Sequence, residues 1–353
     1  MRLKGLGSAI VLAAIGAATA GAPAWALHLY GDDVYPALQA AVTPLSNTVP
    51  VPLFDAVLAL AIVVTLAAVT RGLRRSWRTR SFWPIARASA WILVGAAALY
   101  LWFLLAWGYN YRRPGVESAM AHFEAHRSTP ALVRRLAELA VTRTNQLHDG
   151  AHARGFPALD AVPAELIDSL HRVELRLGRP RPTTATVPKR PWSAPYMRAV
   201  GVSGMLAPLF LETYLNPDLT GPERPYVLAH EWAHLSGFAP EEDASFVGLV
   251  AALGADTASQ YSAWLFLVSE AVNRLHPVTQ QLVLTALEPG PRQDLAAINE
   301  RLRRRVPWLD RASWVAYDRA IKSQGAVEGV AGYGRVIDLL LGSDVLADEG
   351  LTP

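Results

Sequence analysis

Three apolar stretches, each close to twenty residues, crowd into the first 108 of the 353 residues. They run from about Leu6 to Ala26, Pro52 to Thr70 and Ala88 to Gly108. About 20 apolar residues in a helix cross a hydrocarbon core, so each stretch is predicted to be a transmembrane span. Trp91, Trp102 and Trp107 lie toward the ends of the third, where indole rings favour the membrane interface. The first has a second reading. Arg2 and Lys4 precede its apolar run and Ala24-Trp25-Ala26 follows it, the layout of a cleaved signal peptide. The run is long for a signal peptide, and retention as a membrane helix is expected.

Composition agrees with a membrane protein. Apolar residues make up 52% and charged residues 18%, a richer and a poorer share than in typical soluble domains. The net charge of +3 is locally concentrated. Arg71, Arg74, Arg75, Arg78, Arg80 and Arg87 fall between the second and third spans. Between the first and second, His28 to Val51 carries no Lys or Arg, only Asp32 and Asp33. The positive-inside rule then places the arginines in the cytoplasm and residues 109–353 on the extracytoplasmic face of the cell membrane. This topology accounts for the basic cluster, and no nucleic-acid binding is expected. With no cysteine, a metal site has only His, Asp and Glu to draw on.

Residues 1–108 thus read as a membrane region and 109–353 as one domain with a substantial core. The domain is expected to be mainly α with a small β component. Helical spacing covers Thr129 to Gly155, Ala164 to Leu177, and most of the chain after Thr220. The Pro-rich Arg179 to Trp192 reads as loop plus a short strand, and Ala199 to Asn216 as one or two strands interrupted by Gly204 and Pro208. "SFVGLVAALGAD" and "YSAWLFLVSEAV" are apolar but short, with Asp256 between them, and are expected to be buried core helices.

The chemistry concentrates in "YVLAHEWAHL", Tyr226 to Leu235, with a start signal at Thr220 and Pro222 and a stop at Gly237. Residues four apart share a helix face, so His230 and His234 can aim ring nitrogens at one ion. Glu231 lies about 100° further round, within reach of a water on that ion. This is the His-Glu-x-x-His arrangement of zinc hydrolases. The other reading is a pair of core histidines bonded to backbone. Two further i, i+4 pairs, His122/His126 and His148/His152, lack the following Glu, sit among polar residues and read as solvated helix faces.

A catalytic zinc commonly takes three protein ligands. A His six residues after the second motif histidine is excluded, because position 240 is Pro. The acids that follow, Glu241, Glu242 and Asp243, open a new helix near Pro240, and Gly237 would let the chain turn back toward the ion. Glu241 is the first choice; Glu242, Asp243 and the more distant Glu270 stay open. Acids in a first helical turn are also favoured by the helix dipole alone.

The stretch "HEWAHLSGFAPEEDASF" resembles a family of bacterial membrane proteins of unknown function that join N-terminal membrane helices to a zincin-type domain. "LYGDDVYPAL", "WGYNYRRPG" and "YDRAIKSQGAVEGVAGYGRVIDLLL" extend the similarity over most of the chain. The resemblance implies a zincin-like α+β metallopeptidase domain on a membrane anchor. A looser similarity is to membrane gluzincins, whose third ligand opens a Glu-x-x-Ala-Asp motif. Here Glu241 and Ala244 match, while Ser245 stands where Asp is expected.

The expectation is therefore a membrane-anchored zinc metallopeptidase. Zn²⁺ sits on His230, His234 and Glu241, Glu231 is the general base, and the substrate is a peptide or protein. Leu206 to Leu215 is a candidate edge strand for an extended substrate, and Tyr333 or Arg335 a candidate oxyanion donor. The alternative is a catalytically silent zinc-binding membrane sensor or scaffold. A transporter is disfavoured, since the spans carry no charge clusters and Asp55 lies near a span end where water reaches it.

Overall fold

The computed structural model describes residues 23–125, 127–179, 181–324 and 334–350. The first expected span, residues 6–26, lies outside the described residues except for its last four positions. A short helix Ala24–Leu29, a π-helical turn Tyr30–Val34 and helix α1 (Tyr35–Asn47) follow one another without a break. Two long helices come next, α2 (Leu53–Thr79) and α3 (Trp83–Ala106). Both are long and apolar enough to cross a membrane. Their apolar side chains face outward with no protein over them: Leu60 is 61% exposed, Val63 62% and Leu93 69%. A core helix of a soluble protein would bury these positions.

The arginine-rich segment between the two spans is largely helical. α2 continues through Arg78, and the chain reverses at Arg80 with φ 48. The stretch from His28 to Val51 is also largely helix. Its Gln39 and Asn47 hydrogen-bond the backbone of Thr184, Ala185 and Val187. Tyr30 and Tyr35 join the same hydrophobic core as the later helices, so residues before 109 help to build the domain that follows.

The rest is mainly helical. α4 (Pro130–Arg154) and α5 (Ala164–Arg176) lead to a loop and the short α6 (Ala194–Val200). A hairpin of β1 (Gly204–Ala207) and β2 (Glu212–Leu215) follows, antiparallel, with Gly204 opposite Leu215 and Ala207 opposite Glu212. Then come α7 (Arg224–Leu235), α8 (Glu241–Leu253), α9 (Thr257–Asn273), α10 (Pro277–Thr285), α11 (Pro289–Arg303), α12 (Pro307–Gln324) and α13 (Val336–Gly342). α8 and α9, the two apolar stretches expected to be core helices, are buried along most of their length.

Leu206 to Leu215 is a hairpin, not a single edge strand. Pro208 has no N–H for a ladder, and Leu211 takes φ 51 to turn the chain. β2 is buried and flanked on its far side by a bridge from Lys189 to Tyr214, which leaves β1 as the edge.

The domain stands directly on the ends of the two long helices. Glu212 of β2 accepts hydrogen bonds from the Leu53 and Phe54 N–H groups, orphan donors of the first turn of α2, at 3.1 and 3.0 Å. Lys189 Nζ meets the same carboxylate at 2.5 Å and Tyr214 Oη donates to it at 2.8 Å. Asp55 is 5% exposed and accepts from the Trp192 and Ser193 N–H groups. It is a buried tie between α2 and the start of α6, a correction to its expected place in water. The Trp102 indole donates to the Leu209 carbonyl in the hairpin turn at 2.9 Å.

Candidate metal centre

α7 is buried on nearly every side. It ends in a Schellman closure: Phe238 N–H returns to the Ala233 carbonyl and Gly237 N–H to that of His234. Gly237 adopts φ 85, the left-handed conformation this closure needs. Tyr35 Oη donates to the Leu235 carbonyl at 2.7 Å, and the Arg179 guanidinium reaches that of Ser236 and lies over the Phe238 ring. The chain then reverses into α8, which packs against α7 at very short range. A Cβ on Gly248 would fall 2.7 Å from both Cα and N of His230. That approach carries the first turn of α8 to the histidines.

Glu241 Oε2 lies 3.4 Å from His230 Nε2 and 3.4 Å from His234 Nε2. These are long for hydrogen bonds. They match the edge of a tetrahedron, about 3.3–3.4 Å, for ligands at about 2.0–2.1 Å from zinc. Glu241 is 4% exposed, and its Oε2 has no hydrogen-bond partner. Both imidazoles have their other nitrogen engaged. His234 Nδ1 meets the Phe238 carbonyl at 2.9 Å and His230 Nδ1 the Ser245 hydroxyl at 3.3 Å. Such contacts fix the ring orientation and leave Nε2 for an ion. Ser245, where the gluzincin pattern has Asp, thus occupies the position of a polar partner to the first histidine. The donor set fits a zinc ion.

The electrostatics agree with a site built around positive charge. Burial lowers the His230 pKa. Burial also acts against charge on His234, but the Glu241 carboxylate outweighs it and raises that imidazole to about 9. Burial alone would push the Glu241 carboxyl up; the neighbouring imidazoles, His234 foremost, hold it well below the usual range. Burial raises Glu231 to about 8. A cation beside Glu231 would favour its ionised form. Glu231 is 3% exposed and its Oε2 has no hydrogen-bond partner. Gly204 leaves it room, since a Cβ there would come within 2.4 Å of Glu231 Oε1.

Of the four candidate acids, Glu241 alone reaches both histidines. Glu242 turns to Arg335 at 3.7 Å. Asp243 accepts from the Val116 N–H, and burial pushes it up to about 7. Glu270 lines a neighbouring cavity. Arg335 pairs with Glu117 and Glu242 rather than facing the histidines, and Tyr333 lies outside the described residues.

Two aromatic residues at the site, Tyr317 and Tyr111, were not singled out from the sequence, and a third, Trp107, expected at the membrane interface, is buried at the site with 4% exposure. Tyr317 of α12 donates to Glu241 Oε1. Tyr111 lines the adjoining cavity, and burial raises its hydroxyl to about 12. Trp107 sets its ring edge-on to His234 at 6.1 Å. Tyr111 and Trp107 lie within "WGYNYRRPG" and Tyr317 opens the later stretch of resemblance, the one sequence signal that pointed to them.

His148 and His152 are not a plain solvated face. With Asp294 they form a second group able to hold a metal. Its distances, however, are those of hydrogen bonds: His152 Nε2 to Asp294 Oδ2 is 2.9 Å, and Tyr261 Oη donates to the same oxygen at 2.5 Å. This carboxylate is satisfied without an ion, unlike Glu241. His126 of the remaining pair lies outside the described residues.

Helices long enough to cross a membrane, joined to a helical domain with a buried His-His-Glu group, define the class. The chain belongs to the family described as Protein of unknown function (DUF3810), whose model matches residues 30–341. No curated protein and no solved structure matches it.

Proposed function

We propose that this protein is a membrane-anchored zinc hydrolase of peptide or amide bonds, with its site on the extracytoplasmic face. One observation carries the reading: a buried carboxylate oxygen that makes no hydrogen bond and lies 3.4 Å from two imidazole nitrogens whose other nitrogens are occupied. Without a metal, the only positive charge among the described residues beside this buried carboxylate is that of a protonated His234; a metal ion would satisfy the carboxylate and both imidazoles together.

His230, His234 and Glu241 would hold the ion. When bound, zinc polarises a carbonyl and makes water more acidic at neutral pH. Glu231 takes the proton of the attacking water and passes it to the leaving nitrogen. Tyr317 orients Glu241 through the oxygen that faces away from the histidines. The Arg-rich end of the α2–α3 pair supports the orientation across the membrane. A silent zinc scaffold would have no use for Glu231, nor for the cavity of about 620 Å³ that opens on it.

The test uses the purified full chain. Elemental analysis is expected to find about one zinc per chain, lost in His230→Ala. Glu231→Gln is expected to keep the zinc and lose cleavage of a peptide library read by mass spectrometry. A folded protein that binds no metal, or a Glu231→Gln variant that still turns over, would sink the reading.

A further inference from the structure

A second cavity, of about 350 Å³, also reaches the site, and three helices shape it. Ser262, Leu265, Phe266, Ser269 and Glu270 recur at the spacing of a single helix face and form its α9 wall. Tyr226 and His230 face it from α7, Ile298 and Leu302 from α11, and Glu231 lines it as well. Leu265, Phe266, Tyr226, Ile298 and Leu302 make the walls largely apolar. His230 and Glu231 thus share one space with Glu270. Tyr226 bridges the two. Its ring lies 6.3 Å from that of His230 and stacks at 3.9 Å on Phe266, one turn of α9 before Glu270.

The charges in this cavity do not cancel. Outside the metal site, three charged groups among the described residues line it: Glu223, Arg301 and Glu270. Arg301 is engaged with Glu223, Nη2 to Oε1 at 2.5 Å and Nε to the other oxygen at 3.2 Å, and also donates to the Ser203 hydroxyl. Glu270 has no such counterpart: among the described residues it makes neither an ion pair nor a hydrogen bond. Arg274, one turn further along α9, holds both oxygens of Asp338 at 2.7 and 3.0 Å. Burial raises the Glu270 carboxyl, and Arg274 only partly opposes this. A cation brought into the cavity would favour the ionised form.

We propose that this cavity takes a lysine or arginine side chain of the substrate, with Glu270 receiving its cation, so that the amide bonds cut are those beside a basic residue; this rests on the hydrolase reading above. The chemistry matches along the whole side chain. Lysine and arginine carry a charged head on an apolar stem of three or four carbons. The stem lies against Leu265, Ile298 and Leu302, and the head meets the one carboxylate in the cavity that no protein cation balances. An acidic side chain would bring like charge to Glu270, and a leucine would shut that carboxylate away from water without a partner. Hydrolysis of the adjoining amide adds one water, its OH to the carbonyl carbon and its other proton to the leaving nitrogen.

The test uses the full-length protein, loaded with zinc in lipid nanodiscs, and a randomised peptide library. Mass spectrometry of the wild-type products is expected to find lysine or arginine beside the cut bond at least about tenfold more often than leucine. Glu270→Gln is expected to lose that preference and Glu270→Lys to turn it toward aspartate and glutamate, both with wild-type melting temperature and zinc content. Three results overturn this proposal and leave the hydrolase standing: wild-type cleavage without a basic preference, a preference that survives in Glu270→Gln, or cleavage confined to the first residue of each peptide whatever its side chain. If the wild type cleaves nothing, retention of the library on zinc-loaded Glu231→Gln protein decides. Basic peptides held there, and released when Glu270→Gln is added, keep the cavity assignment and remove the hydrolase. No such retention removes both.

Discussion

Gly248 presses its Cα against the backbone of His230 so closely that a methyl group there would lie 2.7 Å from the His230 Cα. The neighbouring atoms are main chain within a buried helix and cannot swing aside. Gly248→Ala is therefore expected to force α7 and α8 apart. Overpacking of this kind costs about 1–3 kcal/mol. The helix shift would also carry Glu241 off the histidines, so zinc affinity should fall together with thermal stability. A Gly248→Ala protein with unchanged melting and unchanged zinc titration would show that the contact is soft.

Tyr317 donates to the oxygen of Glu241 that does not face the histidines. Removing such a supporting partner commonly costs about 10–100-fold in metal affinity. Tyr317→Phe keeps the ring and removes the donor, so competition with a zinc chelator should show a loss in that range with little change in melting temperature. The same affinity as wild type would mean that Glu241 is held by packing alone.

In the metal-free protein His234 titrates at about 9, raised from 6.5. Burial opposes this rise and the Glu241 carboxylate drives it. A raised folded-state value means that this pair stabilises the metal-free fold fully below about pH 6.5, and that the contribution fades as pH climbs through about 9. Zinc must displace that proton. Binding near pH 7 is expected to release about one proton from His234 and most of a second from Glu231, which the cation would ionise, and to tighten as pH rises toward about 9. Calorimetry in two buffers of different ionisation enthalpy measures the release directly. Identical heats in both buffers would refute protonation of both His234 and Glu231 in the metal-free protein.

Lys189 and Glu212 are buried together beneath the first turn of α2, with Nζ and Oε1 2.5 Å apart. Lys189→Met leaves the Glu212 charge without its cation. A broken buried pair typically costs about 3–5 kcal/mol, while replacing both partners costs far less. Denaturant titration should therefore find Lys189→Met much less stable than wild type, and the Lys189→Met, Glu212→Gln double variant partly recovered. A double variant no better than the single one would shift the weight to the Leu53 and Phe54 N–H groups that Glu212 also serves.

What could be read from the chain alone was whatever depends on near neighbours. Apolar length marked α2 and α3, because a bilayer sets that length. The four-residue spacing put His230 and His234 on one face of α7, and Gly237 marked where the helix stops, because helix period and left-handed backbone are local properties. The same reasoning put Glu241 first but left Glu242, Asp243 and Glu270 open, since acids in a first turn also suit the dipole. Tertiary packing made that choice. The approach of Gly248 to His230 sets which face of α8 looks at the histidines. Glu241 meets them, Glu242 turns to Arg335 and Asp243 to Val116. The turn at Leu211 made a hairpin of a stretch whose composition left one strand or two open. Tyr317, Trp107 and Leu206 reach the site from segments far apart in the chain. No spacing rule connects such segments; they meet because the core of this domain has one way to close.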